Sequence, residues 1–121
     1  MSQSTAFNLA LENLHDIYAY EPPYNNVETL GILKLFCFCF DKSIYAIARY
    51  LEKNTSKITP QQLLSQAHEC GILPNIQTWQ KALSTRIAIT KRNLPCNAID
   101  IISDIKNEYY AMFLDLQELI S

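Results

Sequence analysis

The hydrophobic positions of the N-terminal segment recur at the spacing of an α-helix. They follow one another every three or four residues and therefore share one helical face. The stripe consists of Phe7, Leu11, Leu14 and Tyr18. Ser4 or Thr5 is suited to cap this helix, because a short side-chain oxygen can accept a bond from a free backbone N–H group. The consecutive prolines of EPPYNN, residues 21–26, predict where the helix ends.

The hydrophobic pattern changes in the next segment, which predicts a long second helix from about Val27 to Lys53. Apolar residues lie nearly all round the helix in GILKLFCFCF and on one face in DKSIYAIARYLEK, a pattern typical of a central helix contacted on several sides. A short third helix then has its own end signals. Thr59 is the predicted N-cap, Pro60 the first helical residue and Gly71 the left-handed stop.

Two more helices complete the predicted fold. The fourth follows Asn75 and ends before Pro95, and we expect its Trp79 to pack in the core. The expected neighbours of Trp79 are Phe36, Phe40 and Leu83. The fifth helix runs from about Pro95 to Ile120. Its predicted stripe is Ile99, Ile102, Ile105, Tyr109, Met112, Leu116 and Leu119. The fold class is therefore all-α, an antiparallel four-helix bundle with an additional short helix, in a single domain over residues 1–121.

Composition limits the classes of function. Hydrophobic residues make up 49% of the chain and charged residues 18%, as in globular proteins. The net charge of −2 argues against a broadly basic surface for nucleic acid. Neither a signal peptide nor a membrane span is evident, so a cytoplasmic protein without a membrane partner is predicted. Sparse charge leaves apolar surface to cover, which favours a homodimer.

Cysteine and histidine residues give no recognisable catalytic or metal motif. Cys37 and Cys39 are two residues apart and point to roughly opposite sides of a helix, so they cannot bind one metal ion together. We expect buried thiols that act as small apolar residues. His15 and His68 lie on different predicted helices, with no cysteine or carboxylate at a motif spacing. The two glycines of the chain cannot form a glycine-rich phosphate loop. The sequence therefore predicts no catalytic residue, metal or cofactor.

The main electrostatic asymmetry lies between Glu69 and Asp100, an interval without acidic residues. Its basic residues are Lys81, Arg86, Lys91 and Arg92. Acidic residues gather in the last helix, so one interpretation is that the two helices exchange surface ion pairs, each worth less than about 1 kcal/mol. Another is a nucleotide or phosphate site, because arginine binds phosphate through two parallel hydrogen bonds. A helix-turn-helix is disfavoured by the proline-containing turn GILPN.

The order of these motifs resembles the nucleotidyltransferase substrate-binding protein family, a branch of the HEPN superfamily of helical bundles. The resemblance runs from about Leu30 to Ile120 and includes the proline-led third helix and Trp79. In FCFCFDKSIYAIARYLE the family's aromatic, acidic and "YLE" positions match Phe36, Phe40, Asp41, Tyr50 and Leu51. Ile44 and Tyr45 stand where the family frequently has Trp-Lys.

Family members continue into an R-N-x-x-x-H segment, which supplies the catalytic arginine and histidine of the ribonuclease members. In STRIAITKRN, Arg86 matches the arginine, whereas Ile87 takes the asparagine position and Lys91 the histidine position. A lysine ammonium, with an ordinary pKa of about 10.4, is poorly suited to the near-neutral proton transfer that an imidazole performs. The resemblance therefore implies a degenerate motif.

The resemblance implies a non-catalytic substrate-binding or nucleotide-binding subunit that dimerises and pairs with a separately encoded minimal nucleotidyltransferase. Its nucleotide or phosphate site would consist of Arg86, Lys91, Arg92 and Lys81. The alternative is a HEPN-type ribonuclease toxin of a toxin–antitoxin pair, acting on RNA with an altered motif. A third reading is a purely structural bundle whose basic segment is neutralised by the last helix.

Overall fold

The computed structural model describes residues 3–89 and 97–120, and every regular element in these ranges is helical. The helices are α1 (Gln3–His15), α2 (Asn26–Tyr50), α3 (Pro60–Glu69), α4 (Ile76–Ile89), α5 (Ala98–Asp104) and α6 (Tyr110–Ile120). A 3₁₀ turn, Asp16–Ala19, follows α1, and a π-helical turn, Ile105–Tyr109, joins α5 to α6. Because α5, the π turn and α6 are continuous, they form one long last helix, and the predicted all-α bundle of five helices is confirmed.

The starts of α2 and α3 are fixed by the same kind of side-chain cap. The Glu28 backbone N–H donates to Asn25 Oδ1 at 2.8 Å, and the Asn25 N–H donates to the Glu28 carboxylate at 2.9 Å. Thr59 and Gln62 repeat this reciprocal capping box at α3, just before and after Pro60. The predicted start of α3 is thus confirmed. The capping prediction for α1 was wrong, because Ser4 and Thr5 lie within that helix.

Left-handed residues end both α2 and α3. α2 stops at Tyr50, short of the predicted Lys53, because Glu52 has a φ of 56° and turns the chain. α3 stops as predicted at Gly71, whose φ is 84°. The next N–H group, that of Ile72, bonds back into the last turn of α3 at 3.1 Å. This turn directs the chain towards α4.

Aromatic side chains form the centre of the core. The cluster consists of Phe36, Phe40, Trp79, Tyr109 and Phe113. The Trp79 ring is 1% exposed and lies 6.0 Å from the ring of Phe40 and 5.7 Å from that of Phe113. Phe36 joins the cluster through Phe40 at 6.1 Å, and Leu83 is partly buried against the core. The packing predicted for Trp79 is therefore confirmed for Phe40, its direct neighbour.

The last helix buries most, but not all, of its predicted stripe. The buried members are Ile102, Ile105, Tyr109, Met112 and Leu116. The prediction of burial was wrong for Ile99 and Leu119, which are 64% and 46% exposed. Ile99 faces outwards because Ile101 takes the inward position. Leu119 lies in the last turn of α6, where the neighbouring Ile120 takes the partly buried position against the core.

Neighbouring elements contact the π turn from two sides. A π turn interrupts the regular backbone hydrogen bonding, and carbonyl groups become open to side-chain donors. The Tyr18 hydroxyl donates to the Lys106 carbonyl at 2.6 Å, although the sequence had placed Tyr18 in the buried stripe of α1. On the other side, the hydroxyls of Tyr109 and Thr85 lie 2.9 Å apart and share a hydrogen bond. These contacts connect the π turn to α4 and to the turn after α1.

None of the helices within residues 3–89 and 97–120 is long and apolar enough to cross a membrane.

Candidate functional site

A charged pair joins α2 to α4 on one side of the bundle. Arg86, in the last turn of α4, donates from Nε to Asp41 Oδ1 and from Nη2 to Asp41 Oδ2, both at 2.9 Å. The Arg86 side chain is 22% exposed and that of Asp41 45%. Two parallel charge-assisted bonds fix the plane of the guanidinium group. The pair thus holds Arg86 in one orientation at a half-buried position.

Cys37 lies one turn before Asp41 on α2 and also contacts Arg86. Burial raises the pKa of the Cys37 thiol, and the nearby guanidinium opposes that effect without overcoming it. The hydrogen bonds that Arg86 donates to Asp41 are the main reason that the pKa of Arg86 is raised above its ordinary value. The Cys37 thiol therefore lacks the lowered pKa that is typical of a reactive cysteine.

A cavity of about 410 Å³ opens beside this charged pair, between α2, α3, α4 and the loop that precedes α3. Its lining is mainly apolar and comes from Phe40, Ile44, Tyr45, Thr55, Ile58, Pro60, Leu63, Leu83 and Ile87, together with Asp41 and Arg86. Among the described residues of this lining, only Asp41 and Arg86 carry charge. A mainly apolar concavity of this size with one convergent polar group is typical of a small-molecule site, for which volumes of about 300–1,000 Å³ are common.

Lys81 lies on a different face of α4 and contacts the last helix. Its ammonium nitrogen is 3.0 Å from Glu108 Oε2 and 3.5 Å from Asp104 Oδ2. The bond from Lys81 lowers the pKa of Glu108, and the same bond raises the pKa of Lys81. The interpretation that α4 and the last helix exchange ion pairs therefore holds for Lys81. The structure does not bring Lys81 together with Arg86.

Of the four residues predicted to bind a nucleotide or phosphate, Arg86 is the one that the structure places at a cavity. Lys91 and Arg92 lie outside the described residues. Asp41, the direct partner of Arg86, was not among the predicted site residues. In the sequence, Asp41 is distinguished as the acidic residue of α2 that lies beyond the first turn, directly after an apolar run. That sequence signal does not identify Arg86 as the partner of Asp41.

The histidines have structural contacts instead of a shared site. His68 Nδ1 lies 2.7 Å from the Leu73 carbonyl, across the turn after α3. His15 packs its ring against those of Tyr18 and Tyr110, each 5.7 Å away between centroids. Within the described parts of the chain, no group of three or more His, Cys, Asp or Glu side chains could hold a metal ion.

The buried thiols match expectation where the structure describes them. Cys37 and Cys39 are buried, and burial raises the pKa of Cys39 far above its ordinary value. Cys70 is exposed at the end of α3, and Cys96 lies outside the described residues.

Comparison with known families gives one match that covers nearly the whole chain. A family model described as "nucleotidyltransferase substrate binding protein like" matches residues 3–121. The match therefore includes α2 and α4, which supply Asp41 and Arg86. A search of curated proteins found no match to this chain.

Proposed function

The chain belongs to the family of nucleotidyltransferase substrate-binding-like proteins, and on this premise we propose that it is a non-catalytic binding subunit. It pairs with a separately encoded minimal nucleotidyltransferase. The bundle holds the substrate, and the partner transfers the nucleotidyl group to it. Both proteins act in the cytoplasm, where nucleotide substrates are made.

The observation that carries this proposal is the bidentate bond between Arg86 and Asp41 at the cavity. An arginine with two N–H groups engaged by a carboxylate is positioned to bind and orient an anionic group. It is not suited to donate or accept protons at neutral pH, because a guanidinium group stays charged there. Lys91 at the histidine position does not supply that chemistry either. These two points favour binding over RNA cleavage.

The anion site of this proposal centres on Arg86, with Lys91 and Arg92 as further cations close in sequence. An anionic ligand competes with Asp41 for the guanidinium group. Such an exchange is accessible because Asp41 is 45% exposed and can be rehydrated when it leaves. Lys81 is expected to add least to the site, since two carboxylates already engage it.

A homodimer is part of the proposal, and the exposed face of α2 supports it. Large apolar side chains on this face are at least 44% exposed: Val27, Leu30, Phe38 and Tyr45. A monomer would leave this row in water along much of the longest helix. A second copy, or the nucleotidyltransferase, would cover it.

The test is co-expression with the product of the neighbouring gene, followed by affinity purification, identification of the bound protein and light-scattering mass measurement. We expect a stable complex that contains two copies of this chain, and no RNA cleavage by the purified bundle. Arg86→Ala is expected to weaken substrate use by the complex without dissociating it. Cleavage of RNA by the wild type that disappears in Arg86→Ala would instead show a ribonuclease, and the proposal would be wrong.

A further inference from the structure

The lining of the cavity beside Arg86 indicates what kind of molecule it accepts. A nucleoside triphosphate carries several negative charges and needs several hydrogen-bond donors or cations. Arg86 is the one cation among the described lining residues. Most of the remaining lining comes from aliphatic and aromatic side chains, which favour an apolar body. The described lining therefore matches a molecule that is largely apolar and carries one anionic group.

The charged pair at the cavity can exchange partners. Asp41 is about twice as exposed as Arg86, with 45% against 22% of the side chain accessible. Moving Asp41 into solvent therefore costs less than moving Arg86. An anionic group that enters the cavity can replace the Asp41 carboxylate in the same bidentate geometry, so Arg86 keeps two charge-assisted bonds throughout.

We propose that the cavity lined by Phe40, Leu63, Leu83 and Arg86 binds a small amphiphilic molecule, with an apolar ring system inside and a single anionic group on Arg86. The anionic group is a carboxylate, sulfonate or phosphate monoester, which share this chemistry. The inference rests on the proposed function only in taking this molecule as the substrate. Binding itself is measured on the bundle alone, so its failure is distinguishable from failure to recruit a nucleotidyltransferase.

The experiment uses two fluorescent probes on the purified full chain. Anilinonaphthalene sulfonate has an aromatic body and one sulfonate, and phenylnaphthylamine has the same rings without the sulfonate. We expect saturable binding of one probe per chain, with the sulfonate probe bound about tenfold more tightly, because only the sulfonate can bond to Arg86 while the displaced Asp41 carboxylate is hydrated. Equal affinities for the two probes would overturn the role of Arg86.

Variants separate the cavity from the charged pair. Thr55→Trp and Leu83→Phe add bulk to the lining and should each weaken both probes at least tenfold. Leu114→Trp is the matched control, because Leu114 is exposed on α6 and does not line the cavity. The double variant Arg86→Gln, Asp41→Asn removes both charges and leaves the net charge unchanged. It should abolish the preference for the sulfonate, so that the two probes bind with similar affinity.

Two further results would show that the proposal is wrong. One is full probe binding by both bulky variants while circular dichroism shows that they are folded, since the probes would then bind elsewhere. The other is a probe signal per chain that falls as the protein concentration rises, because a second copy would then close the cavity.

Discussion

Trp79→Ala tests whether the aromatic cluster is the main source of stability. The Trp79 side chain is 1% exposed and packs between the rings of Phe40 and Phe113. A buried tryptophan removes up to about 250 Å² from water. At about 25 cal/mol per Å², this contributes about 6 kcal/mol, of which the alanine methyl retains a small part. Because neighbouring side chains relax into part of the space, we expect a loss of about 3–5 kcal/mol.

The measurement is urea unfolding followed by far-ultraviolet circular dichroism. Fluorescence is unsuitable because Trp79 is the single tryptophan of the chain. A domain of this size typically has a free energy of unfolding of about 5–15 kcal/mol, so the variant should remain folded but unfold at much lower urea concentration. The thermal midpoint should fall by more than about 10 °C, since each kcal/mol shifts it by several degrees in domains of about this size.

A matched control distinguishes loss of the ring from loss of any large side chain. Trp79→Phe keeps an aromatic ring beside Phe40 and should lose clearly less stability than Trp79→Ala. Leu114→Ala, at an exposed position of α6, should change stability by less than about 1 kcal/mol. A midpoint shift of only one or two degrees in Trp79→Ala would refute the reasoning, because it would mean that the cluster does not exclude water.

Three further predictions concern the turn after α3, a surface ion pair and the buried thiols. Gly71→Ala should destabilise the protein by about 1 kcal/mol in urea unfolding, because alanine disfavours the left-handed conformation even where its methyl group meets no neighbour. The lowered pKa of Glu108 means that its pairing with Lys81 stabilises the fold above the ordinary value of 4.5 and is lost as pH falls through the lowered pKa. Lys81→Ala should therefore reduce the acid-induced fall of the urea midpoint. When the native protein is treated with iodoacetamide, Cys37 and Cys39 should remain unmodified in peptide mass spectra. Prompt alkylation of either residue would contradict its burial.

Local signals were sufficient for the elements whose ends depend on their own residues. Thr59, Pro60 and Gly71 fix α3 through a cap, a fixed φ and a left-handed stop, each of which acts within a few residues. The end of α2 was missed for the opposite reason. Glu52 adopts a left-handed conformation that glutamate disfavours, so the residue type gives no warning of the turn.

The candidate site was only half predictable. Arg86 was identified from its motif position, but its partner Asp41 lies 45 residues earlier in the sequence. The cavity exists only because α3 and the loop before it lie against α2 and α4. Spacing along the chain does not contain that arrangement. The pairing of Lys81 with the last helix agrees with one of the two interpretations of the charge asymmetry, although Lys81 had also been placed in the predicted phosphate site.

At the π turn of the last helix, the helix propensity of the segment and the packing of the core favour different backbone geometries. Strong helix formers within Ile105–Tyr109 would favour an uninterrupted α-helix, and an isolated peptide of this segment would become more helical. In the whole protein the same change would rotate α6 by about 100° relative to α5 and carry Phe113 away from Trp79. Helicity and stability should therefore move in opposite directions here, and the irregular turn is what makes both halves of one helix compatible with the same core.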